Sequence, residues 1–399
     1  MRKILLFSLF LLLGLLGSQI LPNTCGPGTY DPIKTVFDTL LYVCLAFIMI
    51  NVGREFEVDK SRWRSYAKDY FIAMATAALP WVLVAFYYIF VLLPPDYFTD
   101  FDAWKEGLLL SRFAAPTSAG ILFTMLAAIG LGASWIYKKI QVLAVFDDLD
   151  TILLMIPLQV MMVGFNWKMG AILLIVTLLL GIGWKYLDRF RIRQQWWAIL
   201  LYAAAIFAVT WGIDRLFGIH IEILLPAFVM GMVMKHIPHH GGSDERVSTA
   251  ISFLFMLLVG FSMPCFMGPA STLGAGAGDA SILGSQPMLP WPTMAMHVII
   301  VSILSNVGKL VPLFFYRERL LEERLALSVG MFTRGEVGAG IIFIAVGYNI
   351  GGPALIISVL TLALNLVLTG GFVVWVKRLA LLAERKNRLG NRKITGTFI

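Results

Sequence analysis

Three acids in four residues, Asp147-Asp148-Leu149-Asp150, interrupt a stretch that is otherwise apolar from about 140 to 164. Lys309 lies inside a second apolar stretch, Arg334-Gly335-Glu336 inside a third, and Arg112 early in a fourth. At the centre of a membrane-spanning helix each charge costs about 2.5–3.5 kcal/mol even on a mild insertion scale. Such charges must pair, take up a proton or face water. Adjacent residues of a helix diverge by about 100°, so Asp147 and Asp148 cannot share one task. One can meet a base on a neighbouring helix while the other faces a cavity. Lys309 is the natural partner of one of them, and a carboxylate–lysine pair can exchange a proton for an arriving cation. Asp150, three residues after Asp147, returns to a similar face. A single buried pair can do no more than fix helix register. Three acids opposed by bases on other stretches favour an ion path.

The elements that must position these groups read as membrane helices. Of the 399 residues 59% are hydrophobic and 14% charged, against roughly 25% charged in soluble domains. Twelve apolar segments are expected near 4–22, 36–53, 70–93, 107–130, 140–164, 169–184, 195–217, 221–235, 247–268, 293–315, 325–347 and 352–376. About 30 Å of hydrocarbon needs about 20 residues of helix, so residues 1–399 form a single integral membrane domain. Of the 32 Lys and Arg, Lys34, Lys105, Lys168 and Arg215 fall in one set of loops and Arg112, Lys309 and Arg334 inside segments. All the others fall in alternate loops or the tails, which is the positive-inside signature. Both termini are then cytoplasmic, and 377–399 is a cytoplasmic basic tail, expected to be disordered or to lie on the membrane. The net charge of +8 thereby reflects topology and inner-leaflet lipid, and no nucleic-acid partner is expected.

Smaller signals give less. The leucine-rich start after Met1-Arg2-Lys3 lacks an A-x-A cleavage pattern and reads as an uncleaved helix, with a cleaved signal peptide over 4–22 as the alternative. Gly274–Gly278 is a connector, since no Lys-Ser/Thr follows it and no strand precedes it. No cofactor is expected. His236, His239 and His240 read as a solvated loop, Cys44 as a small core residue and His297 as a satisfied core or interface histidine.

Two segments look broken. Pro116 in Phe113-Ala114-Ala115-Pro116-Thr117-Ser118 removes a helical hydrogen bond at membrane depth. The second is Met331-Phe332-Thr333-Arg334-Gly335-Glu336, charged and glycine-rich at mid-segment. Unwound backbone in a membrane survives only where protein or water covers it. Broken helices in corresponding positions of two repeats point to a transporter's binding site. Segments 3–5 and 10–12 correspond, and their odd offset inverts one triplet relative to the other.

At these residues the sequence resembles the monovalent cation:proton antiporters of the NhaA/NapA type, over about 36–376. The elements that carry the resemblance are Asp147-Asp148, Pro116-Thr117-Ser118, Gly308-Lys309, Arg334-Gly335-Glu336 and the helix end Gly53-Arg54-Glu55-Phe56-Glu57-Val58-Asp59. The resemblance implies an all-α fold of about twelve transmembrane helices, built as inverted repeats with two crossed, unwound helices. It implies a core of about 70–164 and 293–376, a dimerisation part of about 4–53 and 169–268, a homodimer, and elevator-type alternating access in a bacterial inner membrane. Asp148 would be the ligand of the transported sodium and the proton carrier, and Asp147 the partner of Lys309. Thr117 and Ser118 would stand at one crossing, and Arg334 and Glu336 near the other, as charge compensation. An Asp pair opposite a lysine goes with electrogenic exchange. Asp150 and Arg112 depart from the pattern and have no assigned role. Lithium or potassium could replace sodium, and the competing function is a sodium-coupled symporter of an organic anion on a related crossed-helix fold. No H-E-x-x-H or G-x-S-x-G motif supports an enzyme.

Overall fold

The computed structural model describes residues 2–25, 27–55, 63–128, 130–132, 134–163, 167–186, 189–190, 192–219, 223–234, 242–263 and 281–395. The histidine cluster at 236–240, the glycine-rich 274–278 stretch and the acidic helix end at 57–59 lie outside these residues. So does the side chain of Glu336.

The described chain is helical, with one isolated β-bridge between Phe190 and Met234. In the first half run α1 (Arg2–Thr24), α2 (Pro27–Glu55), α3 (Trp63–Tyr87), α4 (Phe101–Ser111), α5 (Ala119–Ala128), α6 (Trp135–Val163) and α7 (Trp167–Lys185). Then come α8 (Trp196–Phe217), α9 (Leu224–Val233), α10 (Gly242–Phe261), α11 (Trp291–Gly308) and α12 (Val311–Phe314). The chain closes with α13 (Leu321–Gly330), α14 (Glu336–Gly347) and α15 (Gly352–Thr395).

Helix lies over each of the apolar segments read from the sequence. Among the described residues, seven helical stretches are long and apolar enough to cross a membrane. Their outer faces carry exposed large side chains such as Leu9, Leu13, Leu201 and Ile303, as expected where lipid is the solvent. The tail differs from expectation. α15 does not stop at Lys377 but continues to Thr395. Leu379 and Ala383 prolong its buried stripe, and Lys386 pairs with Glu322 of α13. Leu, Ala, Glu, Lys and Arg are all strong helix formers, so the helix outlasts the apolar run.

The packing falls into two groups. α1 lies on α10 and α2 on α9, with α7 and α8 alongside. Both pairs approach through glycine. A Cβ on Gly14 would sit 2.0 Å from the Leu257 carbonyl oxygen, and one on Gly260 2.3 Å from that of Leu11. Small residues at such crossings let backbones pack without side chains between them. In the second group α3 packs on α11, α6 and α4, and α15 on α13 and α11. Fewer contacts join the groups, chiefly α1 and α2 with α5, and α1 with α15.

Candidate functional site

Both breaks are present, and they meet. After α4 the chain makes a 3-10 turn over Arg112–Ala114, then runs non-helically through 115–118 before α5 begins. α13 ends at Gly330, and residues 331–335 are non-helical before α14. Ser118 N–H donates to the Thr333 carbonyl at 3.0 Å. The Thr117 hydroxyl donates to the Met331 carbonyl at 3.2 Å. A Cβ on Gly335 would lie 2.9 Å from Ser118 Oγ, so glycine there permits the close approach. Backbone groups that a helix would satisfy internally are thus satisfied by the opposite break.

The charged side chains converge on this junction. Lys309, at the end of α11, donates to Asp147 Oδ2 at 2.9 Å, to Oδ1 at 3.0 Å and to Thr117 Oγ1 at 3.1 Å. Asp147 Oδ2 also accepts from Thr117 N–H at 2.7 Å. Both Lys309 and Asp147 are 0% exposed. The carboxylate therefore faces the N-terminal approach to α5, where the helix dipole is positive. Arg334 occupies the opposite kind of end. Its Nη1 donates to Met331 O at 3.0 Å and its Nη2 to Ser305 O at 3.1 Å, both carbonyls near helix C-termini.

Asp148 lies one residue further round α6 and is 9% exposed. Lys309 interacts electrostatically with it as well as with Asp147. The two acids thus have the unequal settings that a 100° divergence requires. Asp147 is fully enclosed and accepts three hydrogen bonds, two from Lys309 and one from Thr117 N–H; Asp148 is the less deeply buried of the two. Ser118 is buried beside Thr117. Glu336 opens α14 next to Arg334 in the chain.

Asp150 and Arg112, which the resemblance left without a role, are neighbours. Arg112 Nη2 donates to the Asp150 main-chain carbonyl at 2.9 Å. The guanidinium lies over the Trp81 ring, 4.7 Å from its centroid. The Asp150 carboxylate is hydrogen-bonded to the Tyr70 hydroxyl. Among the described residues, no group of three or more His, Cys, Asp or Glu converges as a metal cage.

Several residues escape a sequence reading. Trp81 and Tyr70 look like ordinary apolar-segment aromatics. At one end of the same group, Asp69 accepts from Lys139 Nζ at 2.8 Å and from the Tyr316 hydroxyl at 2.6 Å, tying α3 to α6 and to the α12–α13 connection. Burial and the Asp69 carboxylate push the Tyr316 phenol well above its ordinary range. At the other end, Glu106 on α4 accepts from Ser281 Oγ and from the N–H groups of Ile282 and Leu283. The only sequence signal for these was a charge at the edge of an apolar run. His297 accepts or donates at 2.6 Å with the Tyr87 hydroxyl.

A cavity of about 290 Å³ lies in the seam between the two helix groups, lined by Ile48, Asn51, Phe123, Thr124, Tyr137 and Ser252 among others.

No protein-family model matches the chain, and no curated protein matches it by sequence. Its fold does match a solved structure, that of the sodium proton antiporter MjNhaP1 from Methanocaldococcus jannaschii at pH 8. The TM-score is 0.54 at 15% sequence identity, over 92% of each chain. At that identity the likeness is one of fold, and it runs nearly end to end. The described chain is helical and has that fold, and its apolar helices make it a multi-pass membrane protein.

Proposed function

We propose that this chain is a secondary antiporter that exchanges monovalent cations for protons. The observation that carries the reading is the buried junction of Asp147, Lys309 and Thr117 at two facing helix breaks, with the more exposed Asp148 beside it. In this reading Asp148 binds either a proton or the cation, so each passage of the site carries one or the other. Asp147 and Lys309 hold the fixed charge next to it. Thr117 and Ser118 bring oxygen atoms to the site, and Arg334 and Glu336 balance the broken ends of α13 and α14. The fold shared with a sodium proton antiporter supports the same reading.

The finer terms belong to the proposal too. We read twelve membrane crossings, with two crossed, unwound helices related by inverted repeats and both termini cytoplasmic. We read 70–164 with 293–376 as the moving core, and 4–53 with 169–268 as the dimerisation part of a homodimer in a bacterial inner membrane. The sparse contacts and the cavity between the two helix groups support an elevator motion of one against the other. Sodium is the expected cation, with lithium or potassium as alternatives, and the Asp pair opposite a lysine supports electrogenic exchange.

The test is purified protein in liposomes that hold an acid interior and a pH-sensitive dye. Pulses of sodium, lithium or potassium should each be scored for proton movement without a permeant counter-ion. Cation-dependent proton movement supports antiport. A signal that requires an organic anion instead would replace the reading with symport.

A further inference from the structure

We propose that Asp150 and Arg112 form a second buried charge pair whose task is to keep Asp147 committed to Lys309 and the cation site free of surplus positive charge. The inference rests on the antiport reading for its transport consequence, but the pairing itself does not.

The geometry leads there in steps. Three cations are buried around the breaks: Arg112, Lys309 and Arg334. Asp147 interacts electrostatically with all three, yet it makes direct hydrogen bonds with Lys309 alone among them. Arg334 is met by two carbonyls at helix C-termini. Arg112 is less well supplied. It has one carbonyl and the Trp81 face, while its Nε and Nη1 are buried without a hydrogen-bond partner among the described residues. Trp81 is itself held by its Nε1–H donating to Leu108 O at 2.7 Å.

Asp150 supplies negative charge at longer range: its carboxylate acts on Arg112 electrostatically, while the direct hydrogen bond between the two residues is made by the Asp150 main-chain carbonyl. Asp150 is 1% exposed, and its Oδ2 is also buried without a hydrogen-bond partner among the described residues. The groups facing it are the Tyr70 hydroxyl from α3, Asp147 from its own helix, Arg112 from the α4 break and Lys309 from α11. Removing one member of a buried pair strands the other's charge. Without Asp150 the stranded Arg112 has one carboxylate left to turn to, Asp147. That would compete with Lys309 and add positive charge beside the cation site. Asp150 and Arg112 are thus positioning residues, and neither touches the transported ion.

A neutralisation cycle in proteoliposomes tests this. Asp150→Asn should raise the apparent KM for sodium by roughly tenfold, the scale of one unscreened unit charge near the site. Arg112→Gln should lower it. The double variant should return to within about twofold of the parent, and Asp150→Glu should stay close to the parent. Loss of packing alone cannot move KM in opposite directions, so shifts of the same sign, or a double variant that stays as far from the parent as Asp150→Asn, overturn the proposal. Where a single variant yields no folded protein, recovery of folded protein in the double variant supports the pair and failure to recover overturns it. A parent protein that moves no protons with any monovalent cation defeats the antiport reading alone. Melting temperatures then decide the pair: it stands if the double variant melts above Asp150→Asn and falls if it does not.

Discussion

Lys309 Nζ and the Asp147 carboxylate lie 2.9 Å apart with no exposed surface on either side chain. The pair joins α6 to α11, and through Thr117 it reaches the break between α4 and α5. Its stability is conditional, because a buried ion pair returns its desolvation cost only while both partners and their further hydrogen bonds are present.

Lys309→Ala should therefore destabilise the protein by about 3–5 kcal/mol, the usual cost of stranding a buried charge. Melting in detergent reads it directly. The double variant Asp147→Asn with Lys309→Met should recover part of the loss, because no charge is then stranded. An unchanged melting temperature in Lys309→Ala would falsify the assignment of the pair as a structural element.

Asp148→Asn should abolish cation-dependent proton movement while leaving the melting temperature within a few degrees of the parent. The setting of Asp148 is more exposed than that of Asp147, and the amide keeps the side chain's shape. Proteoliposome flux with a parallel melting curve separates loss of transport from loss of fold. Full exchange in the variant would move the carrier role elsewhere.

What the sequence disclosed follows from cost. A charge at membrane depth demands a partner, and few residues were available, so a pairing of Lys309 with one of the two adjacent acids was legible from the residues, while its assignment to Asp147 came only through the resemblance. Pro116 and the Thr333–Gly335 run marked the breaks because their backbone cannot continue a helix cheaply. The partners of Arg112 could not be read, since a main-chain carbonyl on α6 and an indole on α3 leave no trace in spacing. Asp69 was hidden for another reason. A carboxylate beside basic residues at the edge of an apolar run looks solvated until Lys139 and Tyr316 are brought to it from two other elements. The helical tail was missed because hydropathy falls at Lys377 while the buried stripe of Leu379 and Ala383 goes on.

Tyr316→Phe should lower stability near neutral pH by about 1.5–3 kcal/mol, the range for a hydrogen bond to a charged group. The sign of its pH dependence is fixed. The folded phenol is raised above its unfolded value by burial and by Asp69. Its contribution is complete below the unfolded phenol's pKa of about 10 and declines as pH rises from there towards the folded value. Melting temperatures of parent and variant should thus converge as pH rises above about 10. A gap that stays constant across that range would show that the hydroxyl's proton plays no part.

Gly14→Leu should prevent assembly of α1 on α10. A Cβ there meets the Leu257 carbonyl at 2.0 Å and the Gly260 Cα at 2.9 Å, and both are backbone atoms that no rotamer change can move aside. The helices would have to separate along their whole contact, losing the packing that joins the chain's start to its middle. Gly181 on α7 provides the control. A Cβ there meets nothing within 4 Å, so Gly181→Leu faces open space and gains helix propensity, worth up to about 1 kcal/mol. Size-exclusion profiles of the two variants in detergent should diverge, with Gly14→Leu aggregated or lost and Gly181→Leu monodisperse. Two monodisperse profiles of equal melting temperature would mean that the glycine-to-glycine approach is not what holds α1 in place.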